Sequence, residues 1–170
     1  MDLYGLTMSS DLFLNPEFCG DDTWPCLRVL TINASRIAPR GKWYYTGDIL
    51  GANKIDEAFD LWRTRPDHET FDPLVLSMSE ALFRMPVLEY FRFEMADHMF
   101  GKSGVRLECW EADESNAVRR WRINTGPETE WDVPCEIINA WNQWVGEDGD
   151  IIYTRFNFGS YCMGIKEVVA

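Results

Sequence analysis

Apolar residues recur at helical spacing along 74–85, where Leu74, Met78, Ala81, Leu82 and Met85 share one face and predict an amphipathic helix. Asp72 and Pro73 predict its start, because an Asp carboxylate can accept from free backbone N–H groups and Pro costs nothing at the first helical position. Pro86 disfavours helical geometry at Met85, and Leu88, Phe91, Phe93 and Met95 then predict a turn leading into a strand. Nearly the same arrangement occurs earlier. Trp24, Pro25, Leu27, Leu30 and Ile32 correspond to Met85, Pro86, Leu88, Phe91 and Phe93 at a constant offset of 61 (85 minus 24). The L-x-x-L-x-L core of each copy is the strand signature of leucine-rich repeats, whose regular period is about 20–29 residues. The longer offset leaves two readings open: irregular repeats with extra structure between them, or two separate strands each preceded by Pro.

Ile55, Ala58, Phe59 and Trp62 predict a shorter helix, and alternation of Val105, Leu107 and Cys109 with polar neighbours predicts a strand covered on one face. Trp121 with Ile123 predicts another strand. Pro134 opens a further helix with Ile137, Ile138, Trp141, Trp144 and Val145 along one side, Gly146 closes it, and "IIYTRF" after the "EDGD" turn predicts a last strand. The expected fold is therefore α/β: an irregular leucine-rich-repeat-like sheet with about three amphipathic helices in a single domain. Within it, residues 1–23 read as an N-terminal extension, 24–111 as the repeat-like region and 112–170 as a strand-helix-strand region.

Composition narrows the functional classes. The 170 residues are 46% hydrophobic with 8 Trp and 10 Phe, enough apolar material for a real core. A formal charge of -12 repels phosphate backbones and anionic headgroups, so neither nucleic acid nor a membrane is expected as partner. The local exception is "RRWRI" (119–123), which reads as a strand with one basic face. Five Cys without a C-x-x-C pair suggest reduced thiols in a cytoplasmic or nuclear compartment, and neither a basic-apolar leader nor a run of roughly 20 apolar residues is seen.

Taken together, "WPCLRVLTINASRIAPRGKWYYTGD" (24–48) and "FDPLVLSMSEALFRMPVLEYFRFEM" (71–95) resemble the C-terminal, leucine-rich-like half of fungal F-box-like proteins. The resemblance covers about residues 24–111. It implies a surface that recognises a protein target, and ubiquitin-ligase components as partners. Residues 1–23 do not match the F-box itself, so no adaptor-binding residue carries over.

Catalytic chemistry finds few candidates, and no cofactor or metal is expected. His68 and His98 lie in polar loops, no nucleophile elbow marks Ser77, Ser103 or Ser160, and Gly101-Lys102-Ser103 fails the P-loop spacing at Ala96. Asp97 with His98 lacks a metal-ligand spacing, and the carboxylates Asp56, Glu57, Asp60, Glu111, Asp113 and Glu114 read as solvated faces. Aromatic residues are the stronger candidates for binding: Trp43, Tyr44 and Tyr45 in a loop, and Trp110 and Trp121 on strands, with Trp131 near one. Three functions follow as expectations: a non-enzymatic protein-interaction module, a small α/β enzyme or ligand-binding domain with an acidic and aromatic cleft, or a gene fragment that folds poorly.

Overall fold

The computed structural model describes residues 1–14, 24–48, 62–96, 103–112 and 118–155. Six strands form one sheet: β1 (Asp2–Leu6), β2 (Val29–Ala34), β5 (Tyr90–Ala96), β6 (Gly104–Ala112), β7 (Val118–Thr125) and β8 (Asp150–Arg155), adjacent in that order. A two-stranded antiparallel ribbon pairs β3 (Tyr45–Thr46) with β4 (Arg65–Pro66). The helices are α1 (Asp11–Leu14), α2 (Phe71–Leu82) and α3 (Cys135–Val145). β1 and β2, β2 and β5, and β7 and β8 pair in parallel, while β6 runs antiparallel to both of its neighbours. The result is a mixed α/β domain.

The two similar stretches found in the sequence lie side by side. Leu30 pairs with Phe91 and Ile32 with Phe93, so the spatial register of β2 on β5 equals the 61-residue offset between the copies. Equivalent side chains also meet at the strand entrances, where Arg28 Nε donates to Glu89 Oε1 at 2.8 Å. That pair is exposed and adds little stability. The other parallel steps are about half as long: Leu3 pairs with Ile32 (32 minus 3, 29 residues) and Trp121 with Ile151 (151 minus 121, 30 residues).

Period-2 alternation divides the sheet into two faces. Leu30, Ile32, Phe91, Phe93, Met95, Val105, Leu107, Cys109, Trp121 and Ile123 are all buried on the helix side. Phe71 of α2 meets the rings of Phe93 (6.4 Å), Tyr45 (5.6 Å) and Trp131 (5.1 Å), and Trp141 of α3 stacks on Trp121 at 4.8 Å. Trp141 Nε1 donates to Ser79 Oγ at 2.8 Å, which ties α3 to α2. These contacts form one core between sheet and helices.

Several local details differ from expectation. α2 begins at Phe71 with Thr70 as N-cap, and the polar group at its entrance is Asp67, whose carboxylate accepts from the backbone N–H groups of Glu69 and Thr70 at 3.0 Å each. Pro73 is the third helical residue, still harmless because first-turn N–H groups have no intrahelical acceptor. Residues 2–6, within the stretch read as an N-terminal extension, form the edge strand of the main sheet. The helix expected over Ile55–Trp62 lies largely outside the described residues. Pro134 and Gly146 do bound α3, the glycine at φ 78°, a left-handed value that favours glycine. No helix among the described residues is long and apolar enough to cross a membrane.

Candidate functional site

A cleft of about 510 Å³ opens on the helix side of the sheet at the carboxyl ends of β7 and β8. Its origin is geometric. Ile123 and Thr125 on β7 and Tyr153 and Arg155 on β8 occupy paired positions on this face. α3 covers the Trp121 end of the same face, and Tyr153 is left 58% exposed. The wall is the loop 126–134, which carries Thr129, Glu130, Trp131, Asp132 and Val133 into the lining.

Three contacts hold that wall in place. The Thr129 hydroxyl is bonded to both the N–H (2.8 Å) and the carbonyl (3.2 Å) of Gly104 at the start of β6. Trp131 packs edge-on against Phe71, and its Nε1–H donates to Asp72 Oδ1 at 2.9 Å. Asp72 is 8% exposed and also lies 2.5 Å from His68 Nδ1, so one carboxylate joins the helix entrance to the cleft wall. Asp72 is therefore a linker rather than a helix cap.

His68 is raised above its usual 6.5, chiefly by its hydrogen bond to Asp72 and then by the charge of that carboxylate. The contact favours the folded state fully below the unfolded pKa and is lost as pH rises through the elevated folded value. An NMR titration is expected to place the His68 midpoint above 6.5, with Asp72→Asn returning it toward 6.5. An unchanged midpoint in that variant would contradict the pairing.

The opposite face of the sheet is polar. Across it, Tyr90 stands beside Trp110 and Trp110 beside Arg120; Arg92 beside Glu108 and Glu108 beside Arg122; Glu94 beside Arg106 and Arg106 beside Asn124. Opposite charges thus face each other across the strands. The Glu94 carboxylate accepts from Arg106 Nε at 2.8 Å and from the Arg92 guanidinium. Burial works to raise the Glu94 carboxyl, but the two arginines outweigh it and hold it below the usual carboxylate range. Glu108 accepts from Tyr90 Oη at 3.2 Å and from Asn124 Nδ2 at 3.1 Å, and burial together with the Glu108 charge pushes Tyr90 up to about 12. The Arg122 guanidinium lies 5.0 Å from the Trp110 ring centre. Arg120 and Arg122 give β7 its basic face, whereas Arg119 points the other way, over Trp144.

Of the five aromatic residues expected to anchor a partner, three belong to the core. Tyr44 (2% exposed) bonds through its hydroxyl to the Met8 carbonyl, Tyr45 (0%) donates to the Met95 carbonyl at 2.9 Å, and Trp121 (1%) lies under α3. Each tyrosine satisfies its hydroxyl internally, so a loop position does not by itself put its ring on the surface. Trp43 and Trp110 remain half-buried, beneath Arg63 and Arg122 respectively. Among the described residues, no contact links the two.

Asp97, His98, Lys102, Asp56, Glu57, Asp60, Asp113, Glu114 and Ser160 lie outside the described residues. Ser77 is buried and donates to the Leu74 carbonyl at 2.9 Å. Cys109 is buried, and burial pushes its thiol well up, so it is poorly reactive. Among the described residues, no group of three or more His, Cys, Asp or Glu side chains is placed to hold a metal ion. Sequence reasoning did not single out Tyr153, Thr129, Val133 or Arg155, because their role depends on where a short helix stops covering the sheet. No family model, curated protein or solved structure matches this chain.

Proposed function

We propose that the chain is an α/β ligand-binding domain whose site is the cleft at the carboxyl ends of β7 and β8. The observation that carries this reading is the cleft itself, about 510 Å³ and lined by Ile123, Val133, Trp131 and Tyr153 together with Glu130 and Asp132. Ligand sites have this size and this make-up, a mainly apolar lining with a few polar groups to fix orientation. They also favour the carboxyl ends of parallel strands, where the strand-to-helix loop supplies the wall.

A second reading keeps independent support. The parallel register of β2 on β5 at the repeat offset, and a polar sheet face bearing half-buried Trp110 and Tyr90 among paired charges, are the observations behind an interaction module like the target-recognition half of fungal F-box-like proteins. The two readings use opposite faces of the sheet, so one experiment separates them. A small-molecule library screened by NMR on the labelled chain is expected to give saturable shifts at Thr125, Thr129, Trp131 and Val133. Thr125→Trp, which fills the cleft, is expected to abolish them while the chain stays folded. Binding confined to Trp110 and Tyr90 would transfer the function to the polar face.

A further inference from the structure

Resting on the cleft as the binding site, we infer that its ligand is an organic cation with an apolar body, an alkylammonium group. The lining supplies each part of such a molecule with a partner. Val133 offers apolar surface to the alkyl chain, and Trp131 and Tyr153 supply two aromatic rings. A cation over an aromatic face is attracted by the ring quadrupole, most strongly over Trp. Two carboxylates, Glu130 and Asp132, stand against one guanidinium, Arg155, in the same lining.

The surroundings of Trp131 strengthen this preference. Its indole N–H donates to the Asp72 carboxylate at 2.9 Å, a charge-assisted bond that pushes electron density toward the ring. Glu130 also contacts Arg65 Nε at 3.4 Å, but both side chains are largely exposed and such a pair is weak enough to yield to a ligand. The amino end of α3 follows Val133, and Glu136 in its first turn offsets the partial positive charge there. An anion would find one guanidinium, Arg155, against two carboxylates and two electron-rich rings; a neutral alkyl ligand would use the apolar side chains alone.

The test compares n-pentylammonium with 1-pentanol, its neutral counterpart, and with a Gly-flanked lysine peptide, by NMR titration of the whole chain read at the Trp131 indole N–H. The amine is expected to bind roughly tenfold more tightly than the alcohol, and Asp132→Asn and Tyr153→Ala are each expected to weaken the amine several-fold. Both positions are exposed, so the variants should fold. Tighter binding of the peptide than the amine would identify a protein side chain as the cation source, and the reverse a free amine. Equal affinity for amine and alcohol would overturn the inference while leaving the cleft as the site. Absence of saturable shifts with all three probes would overturn the inference, and absence of shifts across the small-molecule library as well would overturn the cleft as the site.

Discussion

Trp141→Ala is expected to destabilise the fold by about 3–5 kcal/mol. Trp141 is fully buried, stacks on Trp121 at 4.8 Å and meets Trp131 edge-on at 6.3 Å, so its removal opens a void where α3, β7 and the cleft wall converge. The surrounding rings are rigid and cannot collapse into that space. Trp141→Phe keeps part of the ring and removes the indole N–H that reaches Ser79. Ser79 Oγ still donates to the Val75 carbonyl at 2.7 Å, so no buried donor is orphaned and a loss of about 1–2 kcal/mol is expected. Urea denaturation at constant slope measures both. A loss below about 1 kcal/mol for the Ala variant would mean that α3 does not pack on β7 as described.

How much of this was readable in advance follows from the range of each signal. Helix α3 was legible because Pro134, Gly146 and the spacing of Ile137, Trp141 and Trp144 all act within a few turns of chain. Strands β5, β6 and β7 were legible because their covered faces alternate strictly, as Val105, Leu107 and Cys109 show. β1 was not, since an edge strand buries little and Tyr4 is 70% exposed. Asp72 and Pro73 do not by themselves settle the entrance of α2, and only the position of Trp131 shows that Asp72 is needed elsewhere. Aromatic anchors were hardest. Whether Tyr44 faces solvent depends on Met8, whose carbonyl takes its hydroxyl from 36 residues away. The cleft depends on a similar long-range fact, the packing of loop 126–134 on Phe71.

Glu94→Leu is expected to cost about 3–5 kcal/mol, because it takes from the buried Arg106 guanidinium the carboxylate that accepts from its Nε. The Glu94 and Arg106 side chains are 3% and 6% exposed, so water cannot replace the lost partner, whereas Arg92 at 28% can turn toward solvent. Replacing both members, Glu94→Leu with Arg106→Met, is expected to recover most of that loss, since apolar side chains of similar volume avoid the desolvation penalty altogether. The pair would then serve to fix the register of β5 on β6 more than to add stability. Its pH dependence has a definite sign. The Glu94 carboxyl lies below its ordinary 4.5 in the folded chain, so its contribution is present above that value and disappears as pH falls through the lower folded one. The acid limb of the stability curve should therefore be shallower in the double variant than in the wild type. Denaturation midpoints of the two single and one double variant, measured at neutral pH and again near pH 3, decide the matter. Costs that simply add would show that Glu94 and Arg106 do not act as a pair, and an unchanged acid limb would show that Glu94 is not held ionised by its arginines.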